Sequence, residues 1–263
     1  MKPSAQVKAF FQKQANNLFG YFENPQKSFS EKDFHLIRVS IKRIKALLDL
    51  LNKAEPKVQR KKYFNPFEKI FEQAAKIRDP QVKLNLLAHY RNSSVEKFKR
   101  ELTRQIKLEK LKFSQMMKVS LFKDLQKSTS KIEDYLDHAD RKSIAHSLDK
   151  KSKDVQKLGS TKKLKPSGVH AFRKELKEIY YLQKMLEKKN HRYARTDEFQ
   201  ELLGKWHDAR VLIQGIKDFI KADSLPTKDK VVFEKIRQKI EGNTERLYQS
   251  ILNDKRAVLK QIS

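Results

Sequence analysis

An all-α fold follows from three features of the chain. Only 6 Gly and 7 Pro interrupt its 263 residues. The stretches between them are rich in Glu, Lys, Leu and Gln, which favour helix over strand, and the apolar side chains recur three and four positions apart. A hydrophobic content of 38% with 16 Phe supplies apolar surface for a substantial core, in one large domain or two smaller ones packed together. Cysteine is absent, which excludes disulfides, zinc-thiolate sites and a cysteine nucleophile.

The elements follow in order. A first helix is predicted from about Ser4 to Phe22, with Val7, Phe10, Phe11, Leu18 and Phe22 at helical spacing, and Asn24-Pro25 stops it. Ser30 and Asp33 form a loose capping box for FHLIRVSIKRIKALLDLLN, whose Ile37, Ile41, Ile44, Leu48 and Leu51 share one face; Pro56 closes that segment. Asn65-Pro66-Phe67-Glu68 reads as a cap with Pro at the first helical position, opening a helix to Ile77, and Asp79-Pro80 caps and opens another. Beyond Asn92-Ser93-Ser94 a long helical stretch reaches Lys127, and after Ser128-Thr129-Ser130 a further one runs through Leu148. Residues 149–167 lose the apolar period and turn Lys-, Ser-, Gly- and Pro-containing, the pattern of a basic linker. Helices resume at VHAFRKELKEIYYLQKMLEKK, at Asp197 to Trp206, from Asp208 to about Lys221, and in a last pair of segments from Thr227, giving about ten helices.

Charge constrains the partners more than the fold. The chain carries 60 Lys+Arg against 32 Asp+Glu, a formal +28, and such a field concentrates polyanions at the surface. The opening MKPSAQVKAFFQKQANNLF breaks its apolar residues with Lys, Gln and Asn, unlike a signal peptide. No later segment approaches the roughly 18 apolar residues of a membrane span. A soluble, cytoplasmic protein without a membrane partner is the expectation.

Where the charge falls is more informative than its total. At about 100° per residue, His35, Arg38, Lys42 and Lys45 lie within an arc of roughly 80°, while Ile37, Ile41, Ile44 and Leu48 point elsewhere. Most lone basic stripes are solvated faces. Here a shift of 135 positions superposes His35 on His170, Arg38 on Arg173 and Lys42 on Lys177, and chance does not require the same H-x-x-R-x-x-x-K twice. Roughly forty residues after each copy stands a polar-Asp pair, Arg78-Asp79 in KIRDPQV and His207-Asp208 in GKWHDARV. Both Asp residues suit an N-cap better than catalysis.

With these motifs, FHLIRVSIKRIKALLDLL plus KIRDPQV and VHAFRKELKEIYYLQKML plus LLGKWHDARV resemble the two halves of a CHAD domain, the conserved-histidine α-helical domain, over nearly the whole chain. The resemblance implies two helical bundles related by a pseudo-twofold, here 1–148 and 168–263 joined by the linker, around a central groove or pore that holds inorganic polyphosphate. It assigns binding to His35, Arg38, Lys42, Lys45, Arg78, His170, Arg173 and Lys177. Two departures make the second copy weaker: Tyr180 stands opposite Lys45, with Lys184 one turn further along the same arc, and His207 stands opposite Arg78. The first stripe is therefore expected to contribute more. Polyphosphate granules or polyphosphate-metabolising enzymes are the further partners implied.

The residue types suit that ligand. Polyphosphate offers only oxygen acceptors, which Arg meets with a planar fork, Lys with a mobile point charge and protonated His with pH-dependent donors. Lys97, Arg100, Arg104 and Lys107, at helical spacing, are further candidates for a wall of the groove. Two other functions compete. RNA or DNA also present phosphate runs, but apart from Tyr180 the stripes carry few aromatics for base stacking. A metal-dependent phosphohydrolase would need three or four ligands, whereas the turns beside His35 and His170 supply Arg and Lys. No catalytic residue, metal or cofactor is expected.

Overall fold

The computed structural model of the chain describes residues 3–23, 29–55, 57–161, 164–186, 194–222 and 225–260. Among them are nine α-helices and no strand: α1 (Pro3–Phe19), α2 (Glu31–Ala54), α3 (Arg60–Leu87), α4 (Ser93–Met116), α5 (Val119–His138), α6 (Arg141–Gly159), α7 (Pro166–Leu186), α8 (Ala194–Ala222) and α9 (Thr227–Leu259). The all-α expectation holds. The stops read from Asn24-Pro25 and Pro56 lie outside the described residues.

Local chemistry accounts for some helix starts. Ser30 caps α2 as a reciprocal box: its hydroxyl accepts from the Asp33 N–H at 3.2 Å, and the Asp33 carboxylate accepts from the Ser30 N–H at 2.8 Å. The Tyr21 hydroxyl donates to the same carboxylate at 3.3 Å, and burial followed by the Asp33 charge pushes its pKa up to about 12. Asp140 opens α6 by accepting from Ser143 N–H at 2.8 Å, and its hydrogen bonds to Ser143 hold the carboxyl below its ordinary range.

Elsewhere tertiary burial overrides the local signals. The start read at Asn65-Pro66 is displaced to Arg60. Tyr63 lies 5.8 Å from the Tyr135 ring and Phe64 is buried, so the turn before Pro66 is held helical. The break read at Asp79-Pro80 does not exist either. Helix α3 runs through it, although an interior Pro costs about 3 kcal/mol, because buried Ile77, Pro80, Gln81 and Leu87 carry a core face across the site. Asp79 is therefore an exposed mid-helix residue and not a cap. Asp208 is corrected in the same way: buried Trp206, Ala209 and Leu212 continue α8 past it.

The boundary read at Ser128–Ser130 lies inside α5, where Ser128 and Thr129 are buried between Leu125 and Ile132. The true break falls at Met117–Lys118, where no side chain caps α5, so the residues gave no sign of it. The supposed linker is largely helix too. Helix α6 continues to Gly159, and its buried positions Ser147, Lys151, Val155 and Gly159 recur every fourth residue, a face hidden from apolar counting because three are polar or lack a side chain. Asp197–Trp206 and Asp208–Lys221 belong to one helix, and the last pair of segments is the single helix α9.

The chain divides into two compact units, each drawn from three stretches rather than from one side of residues 149–167. The first comprises Met1–Ala75, Glu109–Lys157 and Lys174–Asn190. In it α1 packs on α2 and α5, and Phe29, Phe34 and Phe113 form a triad with ring centroids 5.1–5.6 Å apart. The second comprises Lys76–Leu108, Leu158–Arg173 and His191–Ser263. Its core joins Leu87, Phe98 and Leu102 to Leu212 and Ile216 of α8 and Phe233 of α9.

Lys151 of α6 holds a buried charge in the first unit. Its side chain is 6% exposed and donates to Glu175 at 2.9 Å and Glu178 at 2.7 Å, both on α7. Burial pulls its pKa down, but the hydrogen bonds to Glu178 and Glu175 outweigh that and leave it above the ordinary 10.5. The cluster therefore stabilises the fold fully at neutral pH and loses its contribution as pH rises through the folded value. Replacing Lys151 with Ala strands two carboxylates, one of them nearly half exposed. The expected cost is about 1–3 kcal/mol, read as a lower urea midpoint with unchanged slope.

Candidate functional site: two cationic stripes

Helix α2 presents His35, Arg38, Lys42 and Lys45 as an arc. His35 is exposed and the other three are partly buried, beside a core face of Phe34, Ile37, Ile41 and Ile44. Phe71 of α3 positions two of the cations. The Arg38 guanidinium carbon sits 4.3 Å over its ring and Lys42 Nζ lies 5.8 Å from its centroid, while Arg38 Nη1 donates to the Phe71 carbonyl at 3.1 Å. A guanidinium stacked on a ring keeps its edge donors in one plane. The stripe is interrupted after Lys45 for a packing reason: Ala46, Leu47, Leu48, Leu50 and Leu51 are all buried, so nearly the whole circumference is covered over these residues, and the next exposed cation is Lys53 in the last turn. Asp49, on the stripe's azimuth one turn later, is engaged by Arg60.

Helix α7 carries the second arc. His170, Arg173 and Lys177 are partly buried and Lys184 is exposed, opposite the buried Phe172, Leu176 and Ile179. Its carboxylates Glu175 and Glu178 point well away from this arc and are tied to Lys151, so the basic side of the helix keeps its charge. Within the first unit, Lys184 Nζ lies 4.4 Å from the Tyr180 ring. Burial, followed by the Arg43 charge, lowers its pKa. Arg43 itself lies over Tyr181 at 5.5 Å and donates to Gln14 at 3.2 Å. Tyr180, which stands where a fourth cation would continue the stripe, instead gives Lys184 an aromatic face to rest on.

In the second unit the rings of His170 and His207 lie 5.3 Å apart at 34°, which no spacing in the sequence announced. Residues 207 and 208 are half-buried within α8, and Arg210, one turn on, lies 5.0 Å over the Trp206 ring. Arg78 is half-buried within α3. Lys97, Arg100, Arg104 and Lys107 are exposed on α4, but the face they share changes character at Leu108 and becomes apolar. Phe71, Arg43 and the proximity of His207 to His170 escaped the sequence because they depend on pairs of helices. No group of three or more His, Cys, Asp or Glu among the described residues is placed to hold a metal ion, and no helix among them is long and apolar enough to cross a membrane.

Comparison with known proteins agrees with this architecture. The chain superposes on the crystal structure of the CHAD domain from the plant Ricinus communis with a TM-score of 0.68 at 11% identity, covering 98% of this chain and 91% of that one. It also superposes on PptA from Streptomyces chartreusis, with a TM-score of 0.70 at 11% identity and coverage of 95% and 98%. At that identity the likeness carries the fold alone. No curated protein matches the sequence. The CHAD domain profile matches residues 10–217, most of the chain and both stripes, and the chain therefore belongs to the CHAD domain family.

Proposed function

We propose that this protein binds inorganic polyphosphate without catalysis, through the stripes of α2 and α7. The observation that carries the reading is the repeated His-x-x-Arg-x-x-x-Lys register on two helices whose cationic arcs both remain at least partly accessible. Each stripe offers planar Arg forks and mobile Lys charges along a helix, which suits a flexible chain of tetrahedral phosphates, and carries few aromatic faces for stacking bases. Much of the affinity comes from released counterions, so binding weakens steeply with salt.

The test is a titration with labelled long-chain polyphosphate at near-physiological salt, followed by competition with single-stranded RNA at equal phosphate concentration. Tight binding that RNA does not displace is the expected result; displacement by RNA assigns the stripes to nucleic acid instead. Incubation with Mg²⁺ or Mn²⁺ is expected to release no phosphate, and release abolished by His35→Ala would make the protein an enzyme.

The His170–His207 pair adds a pH dependence. A polyanion beside these rings favours an imidazolium at one of them, while their 5.3 Å separation opposes charging both, so affinity is expected to rise as pH falls through the imidazole range. His170→Gln/His207→Gln should reduce that pH dependence and the further change His35→Gln should flatten it, measured by titration at constant ionic strength.

A further inference from the structure

Outside the stripes, the end of α4 and the start of α5 expose large apolar side chains. Leu108 is 51% exposed, Leu111 57% and Val119 71%. Leu108 and Leu111 fall about 60° apart on α4, on the side away from the buried Phe113. Gln115, the next residue on that azimuth, is exposed and uncharged, and Met116 and Met117 are only partly covered. Val119 opens α5 directly after the break at Met117–Lys118. The apolar run is thus continued along the chain by residues that the core leaves in contact with solvent.

Its flanks carry one sign of charge. Between Glu101 and Asp124 the exposed basic residues are Arg104, Lys107, Lys112, Lys118 and Lys123, Lys110 being turned inward onto the Phe29 carbonyl at 2.7 Å, and the only carboxylate is Glu109. Glu109 is 7% exposed and turned inward: Gln73 donates to it at 2.8 Å and Lys112 at 2.6 Å. Along this stretch the exposed side chains are therefore apolar, neutral or cationic, and none is acidic.

From this succession along the chain we infer that the Leu108–Val119 segment docks the protein on an anionic phospholipid surface, with Leu108, Leu111 and Val119 entering the headgroup–acyl boundary and the neighbouring lysines meeting lipid phosphates. Charge complementarity selects this occupant. Exposed leucines rimmed by Lys are the composition of an interfacial helix face, whereas a second copy of a chain at +28 would bring like charge against like. Surface docking needs no spanning helix, so this proposal departs from the expectation of no membrane partner, which rested on the lack of a span. It also does not rest on the polyphosphate reading, since the α2 and α7 stripes take no part.

Sedimentation with vesicles of equimolar phosphatidylglycerol and phosphatidylcholine, at near-physiological salt, separates apolar insertion from the attraction of any basic protein to anions. The wild-type protein is expected to bind these vesicles and not vesicles of phosphatidylcholine alone. Leu108→Ser/Leu111→Ser/Val119→Ser, which leaves the charge unchanged, should lose about tenfold or more in affinity. Equal binding by that variant would overturn the proposal, because bulk charge alone would then hold the protein on the lipid. A second readout uses Leu111→Trp against the single native Trp206, which is 1% exposed. A blue shift of the added emission on anionic vesicles is expected, and unchanged emission would count against insertion. Failure to bind vesicles, combined with polyglutamate binding that the triple variant loses, would assign the face to an acidic protein and sink the lipid reading.

Discussion

Replacing Arg38, Lys42, Arg173 and Lys177 together with Glu abolishes polyphosphate binding at near-physiological salt and leaves helical content and cooperative melting intact. Each of these side chains is partly exposed and lies beside, not within, the core face of its helix, so reversal leaves the buried apolar side chains in place while giving up the Arg38 contacts to Phe71. Against a polyanion it turns four attractive contacts into four repulsions. The variant keeps a large positive excess, so its loss of binding separates the stripes from the general field of the chain. Single replacements grade the effect. Arg38→Ala should lower the slope of log affinity against log salt by about 0.7–1, the loss of one phosphate contact, and should also remove the stacked guanidinium over Phe71. Isothermal titration across a salt series gives slope and affinity together; retained affinity in the quadruple variant would remove both stripes from the site.

The second large effect is on stability, and it reaches the same helix from behind. Gly159 ends α6 in the second unit, where a Cβ would stand 2.7 Å from the Phe172 ring and 2.8 Å from a Leu259 methyl. Phe172 is fully buried and Leu259 nearly so, so neither yields without displacing its neighbours. Gly159→Ala is expected to cost about 1–3 kcal/mol and to lower Tm by several degrees. Phe172 lies between His170 and Arg173 on α7, so the displaced ring should also weaken polyphosphate binding at temperatures where the variant is still folded. Gly204→Ala, whose Cβ meets nothing within 4 Å, is the control and should be neutral or slightly stabilising. A melting curve that places both variants together would show that the close approach at Gly159 is relieved without strain.

The two predictions draw on different levels of information. The stripes were legible because a helix converts spacing into azimuth: once the residues around His35 and His170 are helical, their cations share an arc whatever surrounds them. The capping box at Ser30 was legible for the same reason, since donor and acceptor are three residues apart. The close approach at Gly159 was not, because it depends on where α7 and α9 lie against α6, and the residue read as part of a linker.

The helical class, the two registers of basic residues, the cap of α2 and the absence of cysteine chemistry are all written within a few turns of chain, and residue order is enough to set them. Where the helices end and which side chains meet depends on packing between distant segments. Pro80 and Asp208 carry local stop signals that the burial of Ile77, Leu87, Trp206 and Leu212 overrides, while Met117–Lys118 breaks without any signal. Burial can decide this because one interior Pro costs about 3 kcal/mol, no more than the gain from burying one or two large apolar side chains. The same holds for the site: His170 beside His207, Arg38 on Phe71, and Glu175 and Glu178 drawn to Lys151 are juxtapositions of different helices, and no spacing along a single segment encodes them.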